Sequence, residues 1–356
     1  MNTSYCVIGI MSGTSLDGLD IAYCHFNKIE DRWSYEIIKA TTIPYSIEWK
    51  DRLSRAAHLL SLEFSLLHNE YGRYIGRCIN KFISENKVDV DFISSHGHTV
   101  FHQPEKYLSV QIGSGAMIAA ETHKKVICDF RALDVAYQGQ GAPLVPIGDE
   151  MLFAEYGSCL NIGGFANISY QKIHKRIAFD VCPANIILNH FAKNAGFEFD
   201  KNGHIAKSGN CNNELMNLLN KLPFYALNHP KSLGKEWLED DFLPIIYSHK
   251  ICNEDYLRTL TEHIALQIAS EINKSGAKKV LVTGGGAFNT FLIELIQSSC
   301  KSAIEIPSAD VINYKEALIF AFLGVLRERN ENNCLKSVTG AIANNCGGAI
   351  YNGIIK

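Results

Sequence analysis

Residues 9–18 read GIMSGTSLDG: three glycines bracket Ser12, Thr14, Ser15 and Asp17, with no Lys or Arg among them. Glycine lets backbone N–H groups come close to an anion, and hydroxyls add donors at little steric cost. The stretch is therefore either a cradle for phosphate oxygens or a plain polar hairpin. Asp17 would repel a bare phosphate, but acting on Mg²⁺ or its waters the same carboxylate becomes useful. Asp180, in RIAFDVCPAN, ends an apolar run just before Pro183. A carboxylate there can serve as a general base or simply cap the helix that follows.

Other residues offer the same kind of choice. Gly284, Gly285 and Gly286 let a flat group such as a purine lie on backbone, with Asn289 to hydrogen-bond it, or they permit close strand–helix packing. Arg131, in CDFRALD, can grip a carboxylate with its two-pronged guanidinium or sit in an Asp129–Arg131–Asp134 structural network. His96, His98 and His102 cluster in HGHTVFH without a nearby carboxylate, which favours hydrogen bonding over metal ligation. The stretch Lys231 to Lys235 can meet phosphate, although a solvated loop is the simpler reading. Glu316 reads as the start of a helix, where the dipole favours a carboxylate.

The elements that must hold these residues follow from periodicity. YCVIGI (5–10) and LDIAYCHF (19–26) read as strands, so the first glycine loop joins two strands. P-loops and Rossmann turns need a helix after the loop, and both are excluded. The pattern returns in SCLNIGGFANISY (158–170), where Asn161, Gly163, Gly164 and Asn167 occupy a second hairpin. Phe64, Leu67, Tyr71, Ile75, Cys78 and Phe82 repeat at helical spacing, followed by a strand FISS (92–95) and a turn HGHT (96–99). Leu257 to Ile272 mark a second such helix, followed by the strand KVLVT (279–283). Two α/β domains of related topology are expected: 1–142 with 317–356, and 143–316. Residues 200–256 form an insertion in the second, and the helix 316–329 crosses back to the first.

The 356 residues are 47% hydrophobic and 20% charged, which is ordinary for a globular chain. A formal net charge of −3 gives no general reason to bind nucleic acid or an anionic membrane. No stretch approaches a membrane span, and the start has no signal-peptide pattern. Eleven cysteines without CxxC spacing argue against a disulfide framework or a zinc site, so cytoplasm is the expected compartment. The partner expected is a small molecule, and a homodimer stays open.

Taken together, GIMSGTSLDGLDIA, SSHGHTVFHQP, CDFRALDVAYQGQGAPLVP, LNIGGFANIS, AFDVCPAN, FDKNGHIAKSG, PKSLGKEW, VTGGGAFN and SVTGA resemble one family, the bacterial anhydro-N-acetylmuramic acid kinases. The segments run in order over almost the whole chain. The resemblance implies a two-domain actin-like ATPase (ribonuclease H-like) fold with ATP in the interdomain cleft. It further implies cleavage of a 1,6-anhydro bond coupled to phosphorylation of O6, with ATP and Mg²⁺, in cytoplasmic peptidoglycan recycling. On this reading Gly13, Thr14, Ser15, Asp17, Gly18 and Asp20 contact ATP phosphates, with Asp17 reaching Mg²⁺ through water. Asn161, Gly163, Gly164 and Asn167 form a second phosphate hairpin, and Gly284, Gly285, Gly286 and Asn289 hold the nucleotide. Asp180 matches the catalytic base, and His98, Arg131, Asn185 and Glu316 are candidates for sugar contacts.

The chain departs from many relatives at Cys182 and Ala184, where they carry glycine, at Asn189, where they carry Asp, and at His98, where they carry Gln. Two alternatives accompany this reading: a kinase of the same fold for another amino sugar, and a nucleotide-driven ATPase switch.

Overall fold

The computed structural model describes residues 3–173 and 175–354. The chain divides into two compact units, Met1–Leu152 with Tyr314–Lys356, and Phe153–Asn313. The first unit runs past the expected junction at 142/143 to include helix Val145–Leu152. Gly148 of that helix lies so close to Ile319 that a Cβ would fall 2.7 Å from its side chain.

In the first unit β1 (Ser4–Ser12) and β2 (Gly18–Ile29) form an antiparallel hairpin, and β3 (Arg32–Pro44) adds to β2. Val7, Ile8 and Ile10 are all buried, because both faces of β1 are covered. Ile8 and Ile10 meet Leu67, Tyr71, Ile75 and Phe82 from the long helix Ser61–Asn86. On the other face a Cβ at Gly9 would lie 2.0 Å from the carbonyl oxygen of Ala317. Only glycine fits there.

Next come β4 (Phe92–Gln103), β5 (Leu108–Ile112) and β6 (Lys125–Cys128). The turn expected at 96–99 is instead continuous strand. Residues 98–103 find antiparallel partners in β5, and Gly97 takes φ +75°, so the chain passes from one pairing to the next without reversing.

The second unit holds β7 (Ser158–Ile162), β8 (Phe165–Lys172), β9 (Lys175–Pro183), β10 (Lys279–Thr283) and β11 (Ala303–Glu305). Its core packs Leu160, Ile168, Phe179 and Val181 of the sheet with Leu257, Leu260, Ile264 and Ile268 of helix Asn253–Ser275. The insertion folds as short helical turns between residues 201 and 247.

The chain then returns to the first unit through helix Ala309–Glu328, and a last strand, β12 (Ala349–Tyr351), pairs with β6. That helix begins seven residues before Glu316, because Ser308 after Pro307 caps it: Ser308 Oγ accepts from Val311 N at 3.5 Å. Glu316 thus sits mid-helix, away from the dipole's positive end.

The two sheets share one plan. The order β3-β2-β1-β4-β6 is matched by β9-β8-β7-β10-β11, with two antiparallel pairings followed by two parallel ones in each. This third-second-first-fourth-fifth order is that of ribonuclease H-like domains, the unit from which actin-like ATPases are built. Among the described residues no helix is long and apolar enough to cross a membrane.

Candidate active site

In the first unit the glycine hairpin leaves Thr14, Ser15 and Asp17 exposed, with Ser15 Oγ 3.5 Å from where a Cβ on Gly13 would lie and Leu16 at φ +59° turning the chain. Gly18 has a packing role, since a Cβ would lie 2.6 Å from the carbonyl oxygen of Ile43. Asp20 Oδ1 accepts from Thr42 Oγ1 at 2.6 Å, across β2 and β3. Burial raises the Asp20 pKa above its ordinary value, Thr42 lowers it, and the charge of Asp17 raises it.

Behind the hairpin Ser12 is buried, accepting from Tyr45 at 2.7 Å and paired with His98 Nδ1 at 3.0 Å. His98 therefore stands beside the hairpin, and burial lowers its pKa. Arg131 turns to neither Asp129 nor Asp134. Its Nε donates to His96 Nε2 at 3.0 Å and its NH1 to the carbonyl of Gly141 at 2.7 Å. Asp134 carries a different load: it accepts from Gly141 N, Thr339 Oγ1, Asn345 Nδ2 and Cys334 Sγ. It thereby fixes the loop that in turn fixes Arg131. Burial brings Arg131 down to about 10, with Glu316 acting in the opposite direction. Glu316 keeps solvent access, yet protein crowding raises its pKa, Arg131 lowers it and Asp20 raises it. The first unit thus gathers Asp20, Arg131 and Glu316 into one electrostatic neighbourhood, and His98 is coupled to His96, the partner of Arg131.

In the second unit the strands bring four polar residues into register. Thr283 on β10 pairs with Asn161 on β7, Asn161 with Asn167 on β8, and Asn167 with Asp180 on β9. Residues directly opposite one another on antiparallel strands share a sheet face, so both asparagines line up beside Asp180. Asp180 does not cap the helix that follows. Its own N–H donates to the carbonyl of Lys231 at 3.1 Å, and its Oδ2 accepts from Leu233 N at 2.8 Å. Burial raises its pKa, and the Leu233 hydrogen bond partly offsets that.

Helix Asn185–Asn194 is capped by the second hairpin instead. Ala184 N and Ile186 N donate to the carbonyl of Gly164, Asn185 N to that of Gly163, and Asn185 Nδ2 to that of Ile162. Asn185 is therefore bonded to the hairpin.

The three glycines of 284–286 divide by role. A Cβ on Gly286 would come within 2.2 Å of Ile162 Cγ2, and Gly284, at φ +81°, would meet Asn161 Oδ1 at 2.6 Å. Both are packing glycines. Gly285 alone is exposed: a Cβ there would have Asn185 Nδ2 as its nearest neighbour, 3.6 Å away. Asn289 Oδ1 caps helix Thr290–Ser299 by accepting from Leu292 N at 3.1 Å.

Of the segment read as a solvated loop, Ser232 and Lys235 are exposed, but Lys231 is half-buried. The Lys231 ammonium lies 4.7 Å from the ring centre of Phe224 and 5.6 Å from that of Phe179, and His229 stacks on Phe179. The contact to Asp180 comes from a backbone N–H, which every residue but proline carries, so no residue type advertised it. His96 was visible as part of a histidine cluster, but its partner Arg131 lies 35 residues away in sequence.

Among the described residues no group of three or more His, Cys, Asp or Glu is placed to hold a metal by itself. Mg²⁺ characteristically keeps several waters and takes one or two carboxylates plus substrate phosphates, so the Asp17 and Asp20 pair beside an exposed glycine hairpin fits it.

The sequence profile of anhydro-N-acetylmuramic acid kinase matches residues 5–353. The chain is 34% identical to the anhydro-N-acetylmuramic acid kinase of Sulfurimonas denitrificans, over 97% of this chain and 98% of that one. It is 33% identical to the protein of the same name from Sulfurovum sp., with the same coverage. For the one from Bacillus thuringiensis subsp. konkukian the identity is 32%, over 94% of this chain and 96% of that one.

Proposed function

Because the chain belongs to the anhydro-N-acetylmuramic acid kinase family, we propose that Asp180 is the general base of an ATP-dependent kinase whose first glycine hairpin holds the phosphates. The substrate is 1,6-anhydro-N-acetylmuramic acid, and the products are N-acetylmuramic acid 6-phosphate and ADP, a step of peptidoglycan recycling. The observation that carries Asp180's role is its placement: a half-buried carboxylate on β9, opposite Asn167 on β8, pinned through Oδ2, with Oδ1 taking no protein partner among the described residues.

Asp180 Oδ1 takes a proton from water as the water oxygen bonds to C1 of the sugar. The C1–O6 bond breaks, and O6 carries the electron pair to the γ-phosphorus while ADP leaves. One water and one ATP are consumed for each sugar opened, and one proton is released. Aligning these groups is the larger part of the task, because phosphoryl transfer depends chiefly on position and charge neutralisation.

In the first unit Thr14 and Ser15 supply hydroxyl donors from a turn that Leu16 and Gly13 keep tight. Bound Mg²⁺ would supply charge neutralisation at the phosphates, and Asp17 and Asp20 are the residues to hold it, through its waters. Arg131, fixed by His96 and Gly141, presents its remaining guanidinium edge to the sugar's carboxylate, with His98 and Glu316 close by. In the second unit Asn161, Asn167 and the Gly163–Gly164 turn face phosphate. Gly285 offers bare backbone to the nucleotide.

Incubation with Mg-ATP and 1,6-anhydro-N-acetylmuramic acid, followed by mass spectrometry, tests the proposal. A 6-phosphosugar formed in step with ADP supports it; ADP release that ignores the sugar contradicts it.

A further inference from the structure

We propose that the segment from Phe224 to Leu233 is a clasp that aims and ionises Asp180, with Leu233 and Lys231 as its positioning residues. The inference rests on the reading of Asp180 as the base.

The clasp is reciprocal. Asp180 N–H donates to the carbonyl of Lys231, and Leu233 N–H donates back to Asp180 Oδ2. A half-buried carboxylate without such a partner turns about its side-chain torsions. The Leu233 hydrogen bond pins one oxygen and leaves Oδ1 to receive a proton. The same donor stabilises the charged form, acting against the burial that disfavours it.

The segment is itself anchored at several points. Lys231 sits over the rings of Phe224 and Phe179, and its Nζ donates to the carbonyl of Phe224 at 3.4 Å. Phe179 precedes Asp180 on β9 and also stacks with His229, ring centres 5.7 Å apart. Tyr225 pairs with the fully buried His263 at 2.8 Å, tying the start of the segment to helix Asn253–Ser275. Asp180 thus meets the clasp through main chain and side chain, and Phe179 beside it through its ring. The ionisable groups beside Asp180 are Cys182 and Lys231. Burial and the Asp180 charge raise the Cys182 thiol, Lys231 lowers it, and burial lowers Lys231.

Two variants test the clasp. The first replaces Leu233 by its α-hydroxy acid, turning the donating amide into an ester and keeping every side chain. The second is Lys231→Met, which keeps the packing stem and loses the ammonium. In both, the acid limb of the kcat–pH profile moves to higher pH while the KM for ATP is unchanged. The ester variant loses about tenfold in kcat on that limb, the scale of one hydrogen bond to a charged group. Lys231→Arg, which restores a cation over the rings, recovers most of the loss.

An acid limb at the parent's position in the ester variant overturns the clasp; Lys231→Met decides if the ester chain fails to fold. Asp180→Asn is measured alongside. If it turns over normally, the base reading fails. If it is inactive while the ester variant matches the parent, the clasp alone fails.

Discussion

Arg131 Nε donates to His96 Nε2 at 3.0 Å, and this pair admits one proton arrangement. A guanidinium cannot give up its proton near neutrality, so His96 must accept at Nε2 and carry its own proton on Nδ1. That proton reaches the carbonyl of Gly97 at 3.0 Å. Burial and the Arg131 charge together hold His96 neutral, its pKa well below the ordinary histidine value.

Replacing His96 with Leu therefore frees Arg131 without touching the nucleotide hairpin. We expect the KM for the sugar to rise about tenfold or more, the range of a hydrogen bond to a charged group. His96→Gln, whose amide oxygen can accept, restores part of it. Steady-state kinetics with the sugar varied is the check, and an unchanged KM in folded His96→Leu removes His96 from this role.

The glycine triplet separates stability from binding. Gly286→Ala and Gly284→Ala push a Cβ into Ile162 or its carbonyl, and each lowers stability by about 1–3 kcal/mol. Gly285→Ala has room and leaves the melting temperature unchanged, but weakens nucleotide binding. Thermal melts and ADP titrations of all three distinguish the roles, and a destabilised Gly285→Ala contradicts the division.

Asp180 gives the pH profile its sign. The base works only when ionised, and burial raises its pKa above the ordinary carboxylate value of 3.8. Activity is therefore lost as pH falls through that raised pKa, and the acid limb of kcat lies above the ordinary carboxylate position. Asp180→Asn loses kcat by about 10²–10⁴-fold with ATP affinity retained. An unshifted acid limb or near-normal turnover speaks against Asp180.

His263 makes a separate prediction about stability. It is fully buried, donating to Asn220 Oδ1 at 2.7 Å and accepting from Tyr225, and burial lowers its pKa from 6.5 to about 3. Between those values the unfolded chain binds a proton that the folded chain does not. Stability contributed by the neutral form is thus present above the unfolded pKa and lost as pH falls, by at most about 1.4 kcal/mol per pH unit. Urea denaturation at about pH 7 and about pH 5 shows a smaller difference for His263→Gln than for the parent. Equal differences contradict it.

Much of the frame was legible because burial writes itself into periodicity. Leu67, Tyr71, Ile75 and Phe82 repeat at helical spacing and pack on β1, and two glycine hairpins flanked by apolar runs announced the duplicated sheet. What stayed hidden depended on long-range pairing. HGHT looked like a turn until β5 supplied a partner strand. Glu316 looked like a helix start because the earlier turns, with Val311 and Ile312, carry little apolar periodicity of their own. Asp180 resembled a cap because its true partner, Leu233 N–H, lies 53 residues away and is chemically anonymous.

The most direct test of the central claim is the reaction run in ¹⁸O-water with Mg-ATP and 1,6-anhydro-N-acetylmuramic acid, with products resolved by mass spectrometry. Water attack at C1 puts the label on O1 of the sugar and none in the transferred phosphate. Label in phosphate, with the anhydro ring intact, would mean plain ATP hydrolysis and would contradict the account.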